Sequence, residues 1–326
     1  MTRLVLLLAA VTAIIPSAQA QDVSSQNAWP TKPIRLIAPF PPASTSDVIG
    51  RVFGQKMSQR LGQPVVIDNR VGASGNLGAD AIAKATPDGY TIGLVTSSTQ
   101  AVAVSLSSKL PYDPLKDFTP ITMLANSPYV LVLYPGVPAK DVKDLVALAK
   151  SKPGTLNYGS AGPASLAHLA GALFANLTDT QITHVPYKSS AQSVVDMISG
   201  RLEMQFATIA PTLANIRANQ LRALAVTGRK RSDALPDVPT MDEAGVKGYE
   251  ATLWFALVGP AGLPAAVAAK LNREAIEILN SPEMKETMLQ QGLVPDPSTP
   301  DALTAQIRGD IGKWRDVIAK AGIKPE

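Results

Sequence analysis

The chain of 326 residues has no cysteine. That absence removes disulfides, thiolate metal sites and a lipid-modified cysteine anchor, and leaves folding to the core alone. Histidine is almost as scarce, at two residues, so a His-rich metal site is excluded. Aromatic residues make up 5%, and 30 Lys and Arg stand against 26 Asp and Glu for a formal net charge of +4. The basic residues are scattered, Gly228-Arg229-Lys230-Arg231-Ser232-Asp233 being the densest run. A basic surface interleaved with aromatics is therefore missing, and nucleic-acid binding is not expected. Enzyme signatures are missing as well. There is no G-x-S-x-G elbow, no H-E-x-x-H, no EF-hand loop and no P-loop. Gly72, Gly75 and Gly78 in VGASGNLG have neither dinucleotide nor phosphate-loop spacing, and they read as turn-shaping glycines. No cofactor and no metal is implied.

What is present begins with Arg3, an apolar run over 4–15, and Ala18 and Ala20 in the A-x-A arrangement of a cleavage site. The run is too short for a membrane span of about 20 helical residues, and no second such run follows. A secretory signal peptide over 1–20, cleaved after Ala20, and a periplasmic mature chain are expected. The remaining length and a hydrophobic content of 46% suit two domains.

Short β-branched runs alternate with helical periods, the pattern of α/β proteins with largely parallel sheets. Strands are predicted over 34–39, 65–68, 91–96, 121–124, 129–134, 156–158, 183–185, 204–207, 222–226 and 254–258. Helices are predicted over 140–151, 164–177, 190–199, 264–280, 282–290 and 300–320. Ile49, Phe53, Met57 and Leu61 give one further helix an apolar face, ending at Gly62. Two stretches echo each other: YVLVLYPGVPAKDVKDLVALAK from 129 and WFALVGPAGLPAAVAAKLNREAIEIL from 254. Each is an apolar run, a Pro- and Gly-containing turn, a second proline and a helix. We read them as two crossings between lobes, giving a discontinuous domain I (30–126 plus 250–326) and an inserted domain II (127–249). One continuous sheet with coincidental proline turns is the alternative.

Residues 39–47, PFPPASTSD, run from a strand into a helix. Ser44 and Asp47 fit a capping box, and on that reading Ser44, Thr45, Ser46 and Asp47 only satisfy the helix's own free N–H groups. Helix starts also hold anions, and open α/β sheets bind ligands at the carboxyl ends of their strands. A second stretch of the same kind is NYGSAGPASLAHLAGALFANL over 157–177, where Ser160, Ala161 and Gly162 form a small-residue turn and Pro163 suits the first helical turn. One such mouth in each lobe suggests a cleft taking an anion between them. Neither loop has Lys or Arg, so neutral donors and ordered water would do the work. His168 lies one turn into the second helix, where a helix-start contact competes with a ligand role. His184 ends a strand and reads as packing. Ser98 and Thr99 follow a third strand, and Tyr187 and Lys188 sit on a fourth strand-to-helix turn, Lys188 being either solvated or a carboxylate partner. A rival from another class is a secreted hydrolase using Ser165 or Ser44 with His168, although no third triad member is evident.

The motifs PYDPLKDF (111–118), HVPYK (184–188) and LPDVPT (235–240), in register with WPTKPIRLIAPFPP and NYGSAGPASLAH, resemble the Bug family, the substrate-binding receptors of tripartite tricarboxylate transporters. The resemblance covers about 29–324. It implies a type II periplasmic binding protein, two α/β lobes joined by two crossover strands, closing as a monomer on a small carboxylate and delivering it to a membrane permease. A sensory partnership with a kinase would use the same closed surface. It also implies that the carboxylate lies between the turns Pro42, Ala43, Ser44, Thr45, Ser46, Asp47 and Ser160, Ala161, Gly162, Ser165, His168. Tyr187, Lys188, Thr208 and the hydroxyls near Ser98 would read the second functional group. Where the family commonly has Pro-Gly-Gly this chain has Pro42-Ala43-Ser44, which narrows the backbone approach. Ser189 replaces the usual glycine. Ala207-Thr208 replaces an acidic residue and Asn, removing the counter-charge for an α-amino group. The expected cargo is a small carboxylate, a di- or tricarboxylate or an aromatic carboxylate, with these departures turning the expectation from amino acids toward simple or aromatic mono- and dicarboxylates.

Overall fold

The computed structural model describes residues 29–42, 44–107, 109–163 and 165–324; the expected signal peptide and Ala43 lie outside the described residues. The elements run β1 (Ile34–Ala38), α1 (Thr45–Leu61), β2 (Val65–Asn69), a tight turn (Ala73–Gly75) into α2 (Asn76–Ala83), β3 (Thr91–Thr96) and a π-helical turn (Ser98–Val102) into α3 (Ala103–Leu106). Then come β4 (Phe118–Leu133), α4 (Val142–Ser151), β5 (Asn157–Ser160), α5 (Leu166–Thr178), β6 (Thr183–Pro186), α6 (Ser190–Ile198), β7 (Met204–Thr208), α7 (Ile209–Arg217) and β8 (Arg222–Val226). The chain finishes with β9 (Thr252–Pro260), α8 (Ala265–Asn280), α9 (Pro282–Gln290), β10 (Val294–Pro295) and α10 (Pro300–Lys320).

The first helix shows why such segments fold as they do. Ile49, Phe53 and Met57 recur every fourth residue and are almost wholly buried, each worth about 1.5–3 kcal/mol. Ser44 caps the start and Gly62, at φ 69°, ends it in the left-handed conformation glycine adopts cheaply.

In β1, Leu36 and Ile37 point to opposite faces of the sheet and enter separate cores. One core packs α1, α8 and α9 against the sheet through Phe53, Leu271 and Met284; the other packs α2 and α10 through Ile82, Leu303 and Ile307.

The strand order is β2-β1-β3-β9-β4-β7-β5-β6, with β10 and β8 each also paired to β4. β1 is parallel to β2 and β3, and β5 is parallel to β6 and β7. The central strand, β4, corrects the expectation of separate strands over 121–124 and 129–134. It is one strand of 16 residues that serves two sheets. Residues from Phe118 to Pro128 pair with β9, and those from Tyr129 to Leu133 pair with β7 and β8. Prolines 120 and 128 fall at a register shift and at the point where the partner changes, where a missing N–H costs least.

The result is a two-lobed α/β molecule whose lobes are linked by β4 and by β9 entering from Ala251. Helix α10 is a third link. Its Leu303 and Ile307 belong to a core of the first lobe, while its Trp314, Val317 and Ile318 belong to the core of the second with Leu131, Leu169 and Phe174.

Three helical segments were not predicted: α2, the turn Ser98–Val102 with α3, and α7. Glycines in VGASGNLG obscured the first, and Pro211 the third, although a proline in a first helical turn breaks no hydrogen bond. No helix among the described residues is long and apolar enough to cross a membrane.

Candidate functional site

β1, β3 and β5 deliver their carboxyl ends into a common gap between the lobes. A cavity of about 470 Å³ opens there. From the first lobe it takes Phe40 after β1, Ala73, Ser74 and Asn76 before and at the start of α2, and Ser98, Val102, Ala103, Leu106 and Ser107 after β3. From the second lobe it takes Ala161, Pro163 and Ser165 at the start of α5. Every one of these lining residues is uncharged. Ser74, Ser98 and Ser107 offer hydroxyls with no hydrogen bond elsewhere in the described residues, and Asn76 adds an amide. Behind this wall, buried Ser97 and Gln100 carry side-chain polar atoms without partners.

The turn before α2 is strained. Gly72, Ala73, Ser74 and Gly75 follow one another at φ 142°, 46°, 55° and 93°. For Ala73 and Ser74 that left-handed backbone costs about 1–3 kcal/mol each, a cost that functional sites characteristically carry. Gly75 is required sterically: a Cβ there would lie 2.9 Å from Thr99 Cγ2 and 3.0 Å from Phe40 Cζ. Tyr112, of the PYDPLKDF motif, ties this turn to the next. Its hydroxyl is 2.7 Å from the Thr99 carbonyl and 2.9 Å from the Asn76 side chain. Both acceptors, the Thr99 carbonyl and Asn76 Oδ1, lie within reach of the one phenolic proton, which serves one of them at a time.

The second-lobe wall rests on a neutral polar stack. Ser160, fully buried, donates from Oγ to the Gly162 carbonyl at 2.9 Å, accepts the Gly162 N–H at 3.1 Å, and sits 2.6 Å from His184 Nε2. With its proton committed to the carbonyl, the serine accepts from His184, fixing the Nε2–H tautomer. His184 stacks on His168 with centroids 3.8 Å apart and rings inclined by 8°. Burial first, and the neighbouring His168 second, push the His184 pKa down to about 4; burial lowers His168 as well. Both rings are therefore neutral at physiological pH. Ser165 caps α5, accepting from the His168 N–H at 3.3 Å and donating to the Gly162 carbonyl at 2.8 Å. That commitment of its proton removes Ser165 as a nucleophile for the hydrolase alternative. It also moves the helix start: α5 begins at Leu166, so Pro163 precedes the cap instead of occupying the first turn.

Of the residues predicted for the site, the structure brings Ser98, Ala161 and Ser165 onto the cavity wall. Ser160, Gly162 and His168 stand directly behind it as supports. The α1 mouth is elsewhere. Ser44 accepts from the Asp47 N–H, Ser46 and Asp47 are buried, and Pro42 and Thr45 are exposed off the cavity; only Phe40 of that loop reaches it. Asp47 pairs with Arg51 at 2.9 Å and accepts from Asn69 Nδ2 at 2.9 Å, a structural knot between α1 and β2. Thr99 is fully buried and bonds the backbone of Thr96 through Oγ1. Tyr187 donates to Asp196 at 3.0 Å, Lys188 is exposed, and Thr208 precedes α7 with its carbonyl accepting from Thr212 Oγ1; none of the three lines the cavity. Ala73, Ser74 and Asn76 were missed. The signal was present: VGASGNLG follows a strand and opens a helix, the same context that drew attention to the other two turns.

A sequence model of the tripartite tricarboxylate transporter family receptor matches residues 49–323. Protein BugT of Bordetella pertussis is 38% identical over 325 residues, covering 99% of each chain. Among solved structures, an R. palustris protein determined with adipate superposes with a TM-score of 0.75 at 34% identity, covering 91% of this chain and 100% of its own. MatC from Rhodopseudomonas palustris, determined with bound malate, superposes at 0.70 with 29% identity, covering 89% and 100%.

Proposed function

The chain belongs to the tripartite tricarboxylate transporter receptor family, the Bug family of periplasmic solute-binding proteins, and from that membership we propose that it is exported to the periplasm, captures a small dicarboxylate between its lobes and hands it to a membrane permease. The family is one of receptors, not of enzymes. The observation that carries the ligand reading is the uncharged cavity of about 470 Å³ whose second-lobe wall is the start of α5. Free N–H groups and the positive end of the helix dipole attract a carboxylate there, and hydroxyls of both lobes complete its coordination. The relatives determined with adipate and with bound malate support a cargo of that size class. With Ala207-Thr208 where an acidic pair partner would stand, acidic amino acids are the poorer cargo.

We assign domain I to 30–126 plus 250–326 and domain II to 127–249, with β4, β9 and α10 as the links between them. Ligand that touches both walls binds the closed form better than the open one, and this difference shifts the equilibrium toward closure. The closed monomer is the form the permease receives. Ser98 and Asn76 on one wall and Ala161 and Ser165 on the other are the residues assigned to the cargo, with Ser160, His168 and His184 holding the second wall. Tyr187, Lys188 and Thr208 stay in reserve for the far carboxylate on closure.

The test is a thermal-shift series with adipate, malate, citrate, benzoate, glutamate and glucose. A dicarboxylate at about 100 times its Kd adds about 2.7 kcal/mol, a melting rise of a few degrees for a chain of this size. A rise with glucose and none with any carboxylate overturns the ligand class. A larger rise with glutamate than with adipate overturns the argument from Ala207-Thr208.

A further inference from the structure

The densest basic run of the sequence, Arg229-Lys230-Arg231, plays no part in the cleft. It overhangs a separate cavity of about 170 Å³ at the crossing strands. The buried part of that cavity is largely apolar: Met123 and Pro128 of β4 and Trp254 of β9. It also holds Thr252, whose Oγ1 is buried without a partner although the residue is only 7% exposed. An unsatisfied buried hydroxyl next to a cavity is costly unless something in that cavity accepts from it.

The charges of the lining sort into spoken-for and free. Arg229 pairs with Glu250 at 2.9 Å, and Arg231 pairs with Glu243 at 2.8 Å. Lys230, between them, is exposed and makes no hydrogen bond or ion pair with any described residue. Asp296, from the other lobe, accepts from Asn126 Nδ2 at 2.6 Å but has no cationic partner among the described residues. The lining thus presents one uncompensated cation from the second lobe, one uncompensated carboxylate from the first, and an apolar floor below. A simple anion would be opposed by Asp296 and a simple amine by Lys230; a molecule carrying both charges meets a complement for each.

We infer that this cavity is a second binding site, distinct from the carboxylate cleft, for a small zwitterion with an apolar side chain: an α-amino acid of about leucine size. The volume agrees, lying below the roughly 300–1,000 Å³ of sites for drug-sized ligands. Carboxylate to Lys230 and Thr252, ammonium to Asp296, and side chain against Met123 and Trp254 is the arrangement the lining permits. Because the walls come from both crossing strands and from the first and second lobes, an occupant there touches the parts that must move when the lobes close.

Isothermal titration of the full mature chain with L-leucine, 4-methylpentanoate and 3-methylbutylamine tests this directly. The last two keep the side chain and delete one charge each. Leucine is expected to bind saturably, and each single-charge analogue about tenfold or more weaker. Lys230→Ala should lower leucine affinity while raising that of the amine, whose repulsion it removes, and Asp296→Asn should lower leucine affinity while raising that of the carboxylate analogue. Both positions are exposed, so neither variant threatens folding. The cleft-blocking variant Ala161→Trp must keep leucine binding while losing adipate. Three results overturn the inference: no saturable leucine heat up to about 10 mM, leucine binding lost in Ala161→Trp, or affinity indifferent to both charge variants. None of these bears on whether adipate fills the cleft.

Discussion

The starts of α1 and α5 are nearly the same device in sequence, S-T-S-D at one and S-L-A-H at the other, and in both a serine caps the helix by accepting from the N–H three residues on, at 3.3 Å. Their surroundings differ in one decisive charge. In α1 the residue at the third position is Asp47, buried, paired to Arg51 and bonded to Asn69, whose Nδ2 also reaches the Phe40 carbonyl at 3.0 Å. The dipole of α1 already has its anion. A ligand carboxylate at the α1 start would meet repulsion from that charge too, offset only in part by Arg51. In α5 there is no acid in the first turn, the polar stack behind it is neutral, and Ala161, Pro163 and Ser165 face the cavity. Equal capping geometry therefore gives one helix start tied into a structural knot and one left open to the cavity, and the side chain at the third helical position sets that difference.

The sharpest way to break that contrast is to fill each mouth. Ala161→Trp, on the wall of the cavity, should lower adipate affinity by about 100-fold or more, equivalent to about 2.7 kcal/mol, while Thr45→Trp, exposed at the α1 start, should leave it unchanged. Titration calorimetry on both variants reads the difference. If Thr45→Trp is the damaging one, the carboxylate lies at α1 and the contrast is inverted.

Much of the scaffold was legible because its periodicity is local. β3 and β8 and the helices α9 and α10 fall where the patterns put them, and Ile49, Phe53 and Met57 reported the buried face of α1. The course of β4 was not legible, because whether Pro120 and Pro128 end a strand depends on which partner stands opposite, a long-range matter. The site divided along the same line. A strand, a small-residue turn and a helix can be read as a potential mouth from any of three segments. Which mouths share a cavity is set by how the lobes meet, and the glycines of VGASGNLG disguised a wall segment as a plain turn.

A smaller effect separates the two mouths by pH. In the unfolded chain His168 and His184 take a proton near the ordinary value of about 6.5. The fold resists it, His184 down to about 4. Above about pH 6.5 neither state is protonated and the pair adds no pH dependence; below it the unfolded chain binds protons that the fold refuses, so stability falls until about pH 4, where the fold accepts them too. Allowing for the partial solvent exposure of the ring, the loss between about pH 7 and pH 5 is about 1–2 kcal/mol. Urea unfolding at the two pH values should show this loss in the native chain and a shallower one in His184→Gln. An equal slope in both would remove the neutral stack from behind the α5 wall.

The smallest expected effect is also the cleanest pairing. Ser44→Ala and Ser165→Ala each delete one side-chain cap of the same 3.3 Å geometry, and each should cost about 1 kcal/mol of stability. Affinity should respond to only one of them. Ser165 also donates to the Gly162 carbonyl at 2.8 Å, holding the turn that carries Ala161, so its loss loosens the wall proposed to receive the carboxylate. A several-fold weaker adipate affinity in Ser165→Ala, with native affinity in Ser44→Ala at matched stability, places the anion at α5. Equal affinity losses in both would mean that adipate senses lobe stability in general, and the distinction between a capped knot and a capped site would fail.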